Sequence, residues 1–379
     1  MLNINLEFWS NQNGITPESR EMIELTRGNL LLAKADAIVN TVNTVGVMGK
    51  GIALQFSKAF PENLVAYQRA CKDGSVAIGK MLVQETSSLE RSLPRYIINF
   101  PTKKHWKQPS KLEYVEEGLN ALVEELKRLG VRSVAVPPLG CGLGGLRWSE
   151  VLPRLIEAAQ RTPDIKWLVY EPAGAPAATS MPNETVKPKM TRSIAIVIAL
   201  IDRYLVPSFG YPVSLLEIQK LVYFLAVVGE KLPRIRFRAA AYGPYSDNVA
   251  HILSRADGHY ILGYGDGQNK PDTPIELNSE SVAEANELLS NDPHLKANID
   301  RVARLIEGYE DPYGMELLST VHWVSTVDDP EATDDMGRIA GAVHKWNQRK
   351  ARVFRTEHIH CAWLHLKEHG ALDFGAATK

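Results

Sequence analysis

Two glycine-rich turns, Gly46–Gly51 and Gly140–Gly145, constrain this chain more than any other feature. An apolar run that reads as a buried strand precedes each one: Ala37-Ile38-Val39 the first, Val134-Ala135-Val136 the second. A helical pattern follows each, over Ile52–Phe60 and Trp148–Ala159. A strand, a glycine turn and a helix start together expose backbone N–H groups to an anion, because the first donors of a helix have no internal partner. Two such cradles in one α/β domain imply a ligand with a diphosphate. Between them stands Gly79-Lys80, a cation from a third segment, which implies chemistry on that ligand rather than storage.

The first turn is not a phosphate loop of the nucleoside-triphosphatase kind. The pattern G-x-x-x-x-G-K-[ST] would need glycine at Thr44 and a hydroxyl at Gly51. Glycine in both turns instead lets backbone approach a ligand closely. Asn40 and Asn43, at the strand end before the first turn, are placed either for ribose hydroxyls or for capping the turn.

Short β-rich runs alternate with helical ones through the first half. Strands are expected at Ile23–Thr26, Ala37–Asn40, Met81–Gln84, Tyr96–Phe100, Ser133–Val136 and Trp167–Tyr170. Helices are expected over Ile52–Ser57, Pro61–Lys72, Leu112–Leu129 and Trp148–Gln160. Apolar residues at 112, 115, 119, 122, 126 and 129 give the third of these an amphipathic period. The alternation predicts an α/β fold, a three-layer α/β/α sandwich with a mixed sheet covered on both faces, and a ligand site beyond the strands' carboxyl ends.

Residues 172–190, rich in Pro, Ala, Ser and Thr, read as a linker. They divide a domain at 1–171 from a mainly helical one at 191–379. Ser214-Leu215-Leu216-Glu217 is a capping box opening a buried helix to about Lys231. A strand is expected over Phe237–Tyr242, closed by Gly243-Pro244, with later helices at Ser281–Ser290, Ile299–Glu307, Gly314–Val324, Met336–Asn347 and Thr356–Glu368.

Net charge is −1 overall, with 21 Lys+Arg against 18 Asp+Glu in residues 1–171 and 20 against 25 in residues 191–379. The first balance permits nucleic-acid contact; the second argues against bulk DNA binding by the C-terminal half. No apolar run reaches the ~18 residues a membrane span needs, and Ile194–Ile201 is flanked by Arg192 and Asp202. The N-terminal run Met1–Glu7 lacks the pattern of a secretion signal. Three widely spaced cysteines, Cys71, Cys141 and Cys361, imply neither a disulfide framework nor a zinc knuckle, and a reducing cytoplasm is the expected setting. His358, His360, Cys361, His365 and His369 form no ligand quartet, and no metal or cofactor is called for.

Residues Glu24–Tyr170 resemble a macrodomain, the ADP-ribose-binding α/β/α module. The matching stretches are Arg27–Leu30, Asp36–Asn43, Met48–Ala53 and Pro138–Leu143. The domain is most similar to the branch containing the human terminal ADP-ribose glycohydrolase and the bacterial DarG antitoxins, through Val76–Lys80, Thr102-Lys103-Lys104 and Gly140–Leu143. The resemblance implies that Asn29 and Leu30 contact adenine, Asn43 and Gly49–Gly51 hold the distal ribose, and Gly140–Gly144 (with Cys141, Gly142 and Leu143) hold the diphosphate. Asn40, Met48, Lys50 and Thr102 complete the implied ligand set, and Lys80 is the implied catalytic residue. Asn29 stands where the family usually has aspartate, and Gly144 where the human relative has a catalytic one. Lys80 has two physical routes: a partly desolvated amine attacks the anomeric carbon and is released by water, or its ammonium stabilises a departing anion. Cys141, with no histidine tied to it, reads as a packed residue rather than a nucleophile.

Leu221–Leu225 and Phe237–Tyr245 resemble the SocA-like or Panacea antitoxin domains. The combination implies an antitoxin in two layers: the first domain removes ADP-ribose from bases of single-stranded DNA, and the second binds and blocks a DarT-like ADP-ribosyltransferase. Free ADP-ribose is the implied product. The acidic run Asp328–Asp335 is either an exposed loop or a phosphate mimic for a toxin's DNA groove. Two other readings stand beside this one: a non-catalytic ADP-ribose reader, and a hydrolase of ADP-ribose esters on protein carboxylates.

Overall fold

The structure is a computed structural model that describes residues 22–86, 94–174, 176, 180–205, 212–265 and 270–373. The Met1–Glu7 reading lies outside the described residues, as do residues 175 and 177–179 of the expected linker. The chain forms two compact units, the first ending at Val186 and the second beginning at Lys187.

In the first unit six strands form one sheet: β1 Ile23–Thr26, β2 Ala37–Asn43, β3 Leu82–Glu85, β4 Tyr96–Lys103, β5 Ser133–Val136 and β6 Lys166–Tyr170. Their order is β1-β6-β5-β2-β4-β3, parallel throughout except for the antiparallel edge strand β3. Side-chain alternation along β2 builds both cores. Ala37 and Val39 pack with Leu119, Leu122, Val151 and Leu155 of the helices Leu112–Leu129 and Trp148–Gln160. Ile38 turns the other way, toward Phe56 and Ala59 of the helix Gly51–Ala59. The expected mixed sheet with helices on both faces is present. β2 and β4 each run three residues beyond their expected ends, to Asn43 and Lys103, because polar residues there continue the pairing. Gly130, at φ 62°, ends the Leu112–Leu129 helix in the left-handed cap that glycine adopts without penalty.

Part of the segment expected as linker packs on this unit. Met181 joins the cluster of Leu30, Ile38 and Phe56, and the Glu184 N–H donates to the Lys58 carbonyl at 2.9 Å.

The second unit is mainly helical, around the helix Leu215–Val227. Its capping box is formed: the Ser214 N–H donates to Glu217 Oε2 at 2.7 Å, and Ser214 Oγ accepts from the Glu217 N–H at 3.3 Å. The helix stops at Val227 rather than near Lys231, since Gly229 takes a positive φ of 95° just beyond. In place of a strand over Phe237–Tyr242 there is a hairpin, Arg238–Ala240 paired with Gly243–Tyr245, so Gly243-Pro244 opens its second strand. Gly243 sits at φ 94°, and the buried Lys220 Nζ donates to the Pro244 carbonyl at 2.7 Å. The helices Asp247–Ala256 and Gln348–Val353 have no counterpart in the sequence pattern, and the apolar run Ile194–Ile201 lies within a helix, Arg192–Leu205. Among the described residues no helix is long and apolar enough to cross a membrane.

Candidate functional site

Both glycine turns leave the carboxyl ends of neighbouring parallel strands, β2 and β5. After β2, Asn43 shapes the first turn. Its Oδ1 accepts the N–H groups of Val45 at 3.0 Å and Val47 at 3.3 Å, its Nδ2 donates to the Val47 carbonyl at 2.6 Å, and Tyr67 Oη donates to its carbonyl at 2.7 Å. The helix then starts at Gly51, φ 58°, behind Lys50, which provides no side-chain cap. The Leu54 N–H closes the first turn of the helix onto the Lys50 carbonyl at 3.4 Å. The N–H groups of Gly51, Ile52 and Ala53 therefore end the helix as uncapped donors, where its dipole favours an anion.

The second turn is asymmetric in its hydrogen bonding. Carbonyls accept: Pro138 from Cys141 N–H at 3.1 Å, Gly140 from Leu146 N–H at 3.0 Å, Gly142 from Gly145 N–H at 3.1 Å, and Gly144 from Ser110 N–H at 2.9 Å. Lys103 Nζ donates to the Leu143 carbonyl at 2.6 Å. Among the described residues the N–H groups of Gly142, Leu143 and Gly144 donate to no acceptor. Every backbone donor must find a partner or solvent, so carbonyls tied down beside three open N–H groups make an anion nest. The two turns meet at Leu143, whose Cδ1 would lie 3.5 Å from a methyl group placed on Gly51.

Lys80 comes to the same end of the sheet through β3. Because β3 is antiparallel, its first residue, Leu82, pairs with Asn99 in the middle of β4, and Lys80, two residues earlier, lies toward the carboxyl end of β4. The Lys80 N–H closes a turn onto the Ala77 carbonyl at 3.1 Å, Gly79 takes a φ of 73°, and the side chain is exposed. Behind it lies a buried amide cluster. Asn40 Nδ2 donates to Asn99 Oδ1 at 3.0 Å, Asn99 Nδ2 donates to Asn63 Oδ1 at 2.7 Å, and Asn99 also reaches the Leu82 carbonyl at 3.3 Å.

The remaining expected residues fall into two groups. Met48, Gly49, Lys50 and Gly51 form the first turn, and Gly140, Cys141, Gly142, Leu143 and Gly144 the second. Asn40 is fully buried and braces β2 against β4. Asn29 caps the turn Leu30–Leu32 by accepting from the Leu31 N–H at 3.0 Å, and its amide donates to the Ser180 carbonyl at 2.8 Å. Leu30 is buried beneath that turn. Thr102 is buried at a register shift in β4, where Asn43 pairs with Lys103 rather than with Thr102. Such an irregularity re-aims the following side chain. Burial raises the Cys141 thiol to about 11, with Glu150 adding to the shift, so it stays protonated at neutral pH.

Gly144 has a packing reason. A Cβ there would collide with the Gly140 carbonyl oxygen and Ser110 Oγ, so this turn has no room for a carboxylate at that position. Sequence reasoning missed Lys103 and Ser110 as parts of the site. The only available signal was the run Thr102-Lys103-Lys104, in which nothing distinguishes the lysine that turns inward.

In the second unit the acidic run is largely satisfied internally. Trp323 Nε1 donates to Asp328 at 2.9 Å, Arg338 pairs with Asp329 at 2.8 Å, Lys367 pairs with Asp334 at 2.7 Å, and Asp335 caps the next helix. Of the histidine cluster, His358 meets Tyr313 Oη at 2.6 Å and His365 the Leu305 carbonyl at 2.7 Å. Among the described residues no group of three His, Cys, Asp or Glu side chains is placed to hold a metal.

Residues 39–155 match the Macro domain family. The chain is 44% identical over 351 residues to a protein of Thermus aquaticus named DNA ADP-ribosyl glycohydrolase, covering 93% of this chain and 94% of that protein. It is 40% identical over 144 residues to a Thermosipho africanus DNA ADP-ribosyl transferase–DNA ADP-ribosyl glycohydrolase fusion protein, covering 35% of this chain and 37% of that one. A solved structure, the macrodomain of Mycobacterium tuberculosis DarG, is 54% identical, with a TM-score of 0.39, and is matched over 40% of this chain and 99% of its own length. The extent of the Thermus aquaticus match, on a chain whose first unit carries a macro domain, shows that this chain belongs to the DNA ADP-ribosyl glycohydrolase (DarG) family of hydrolases.

Proposed function

We propose that the first unit hydrolyses the N-glycosyl bond between ADP-ribose and a DNA base, with Lys80 as the catalytic residue. The carrying observation is the arrival of Lys80 at the end of the sheet where two turns present open backbone donors. The diphosphate sits across the second nest and the uncapped helix start, with the distal ribose against Gly49–Gly51. That grip holds the sugar over the β3–β4 edge, and the substrate itself excludes water from the exposed Lys80. The Lys80 amine attacks C1″ as the C1″–N bond breaks, and the base nitrogen leaves with the bonding pair and takes up a proton. Water then attacks C1″, releases the amine and yields free ADP-ribose. A base nitrogen leaves more readily than an alcohol, which lets the site work without a carboxylate at Gly144. In this reading Asn29, Asn40 and Asn43 act through the segments they brace, while Leu30, Met48 and Thr102 line or support the pocket.

The second unit, in the same proposal, binds and blocks a DarT-like DNA ADP-ribosyltransferase in the cytoplasm. The Thermosipho africanus fusion supports this pairing, since it joins the transferase and the glycohydrolase in one protein. The internal pairing of Asp328, Asp329 and Asp334 favours the exposed-loop reading of the acidic run over the phosphate mimic.

The test is Lys80→Ala assayed on ADP-ribosylated single-stranded oligonucleotide. Turnover should fall by at least ~100-fold, with ADP-ribose affinity by calorimetry within about threefold of wild type. Undiminished turnover would return Lys80 to the role of a solvated lysine, and an inactive wild type would favour a reader.

A further inference from the structure

Between β4 and the helix Leu112–Leu129 runs a loop that the mechanism above does not use. It is tied beside the first glycine turn and onto the second: Thr44 Oγ1, between β2 and the first turn, donates to the Lys104 carbonyl at 2.8 Å, and the Ser110 N–H donates to the Gly144 carbonyl at 2.9 Å. Inside it a turn closes from Gln108 N–H to the His105 carbonyl at 3.0 Å. At its tip Trp106 is 49% exposed, the only exposed tryptophan among the described residues. Its ring stacks on His105 at 5.4 Å between centroids and 26° between planes.

The charge along this loop is of one sign. From Lys103 to Lys111 the chain holds four lysines and no Asp or Glu. Lys107 Nζ lies 4.9 Å from the Trp106 centroid, and Lys104 and Lys111 each lie 5.7 Å from that of Tyr114. Among the described residues none of these three lysines is in an ion pair. An indole half exposed at a loop tip leaves much of its ring face in water, and lysines without carboxylate partners repel one another. Together they match a strand of negative phosphates carrying flat bases, since base–aromatic stacking tolerates any sequence.

We propose that the Lys104–Lys111 loop docks the single-stranded nucleic acid that carries the ADP-ribose. One base stacks on Trp106, and the flanking phosphates lie against Lys104, Lys107 and Lys111. The proposal rests on the DNA reading of the site and adds where the polymer runs: over the loop strung between the two turns that hold the ADP-ribose.

The experiment compares wild type, Trp106→Ala and a Lys104→Ala/Lys107→Ala double variant. Each is assayed on an ADP-ribosylated oligonucleotide and on a single ADP-ribosylated nucleoside, and each is titrated with unmodified oligo-dT. Trp106→Ala should raise KM for the oligonucleotide about tenfold or more, leave kcat and the nucleoside kinetics unchanged, and weaken oligo-dT binding in parallel. The double variant should flatten the dependence of log KM on log salt by about 1.4, two phosphates' worth for a single strand. Equal losses on both substrates would place the loop in the ADP-ribose pocket instead and overturn the proposal. Unchanged oligonucleotide affinity in both variants would also overturn it and leave the loop to a protein partner. Should wild type release no ADP-ribose from DNA, the hydrolase reading fails, while loss of oligo-dT binding in Trp106→Ala would still support the docking site.

Discussion

A single hydrogen bond from Lys103 sets the direction of the second turn's donors. In a trans peptide the carbonyl of one residue and the N–H of the next point opposite ways. By holding the Leu143 carbonyl at 2.6 Å, Lys103 turns the Gly144 N–H away from itself and keeps Leu143 over Gly51. Burial lowers the pKa of the Lys103 amine, which its neighbours do not offset with a carboxylate. Lys103→Met should therefore raise the dissociation constant for ADP-ribose about tenfold, the size of one charge-assisted hydrogen bond, while Lys103→Arg retains most of the affinity; calorimetric titration decides. Gly144 and Lys103 also show where reading residues one by one stops. The first looked like a lost carboxylate and is a packing requirement imposed by Gly140 and Ser110. The second is indistinguishable in sequence from Lys104, which is exposed.

At the level of elements, the site depends on how the edge strand β3 is fastened. Asn99, in the middle of β4, accepts from Asn40 and Asn63 and donates to the carbonyl of Leu82, the first residue of β3. All three amides are buried, so removing one leaves the others without partners. Asn99→Leu should destabilise the first unit by about 3 kcal/mol, as orphaned buried amides do, and should slow turnover by loosening the strand into which Lys80 leads. Chemical denaturation with a parallel activity assay measures both. The existence of these elements was legible from periodicity: Ile23–Thr26, Pro61–Lys72, Leu112–Leu129, Ser133–Val136 and Trp148–Gln160 stand at their expected bounds. The antiparallel sense of β3 was not legible, because strand direction depends on a partner at distance in the chain.

Across the whole molecule, the second unit carries a cost of its own. Lys220 and Lys350 are buried around Glu316, which accepts from Lys350 Nζ at 2.6 Å and from Arg349 at 2.6 Å, with the Thr320 hydroxyl 3.0 Å from Lys350. Burial, and then the charge of Lys350, lowers the Lys220 amine to about 7. Burial lowers Lys350 to about 8 against the pull of Glu316. Unfolded, both amines hold their protons to about pH 10.4. From about pH 7 upward the unfolded state thus binds more protons than the folded one, and stability contributed by this cluster rises with pH. The full burial penalty applies below pH 7. Lys220→Met should raise the melting temperature of this unit at pH 6 and gain progressively less toward pH 9, as scanning calorimetry at the two pH values would show.

Local pattern alone determined the α/β sandwich of helices on a sheet, the two glycine-rich turns at strand ends and the helical second half. Each of these is written in residues within a few positions of one another, where apolar period, glycine and capping chemistry act directly. Only the tertiary structure decided which side chains meet. It brought Lys80 to the end of the sheet from which the turns leave by reversing β3, gave Lys103 its carbonyl across forty residues of chain, excluded a side chain from Gly144, and committed Asn29 and Asn43 to holding backbone and Asn40 to the Asn99 side chain. Those outcomes depend on packing density and on which buried polar group finds a partner first, and both are properties of the assembled fold.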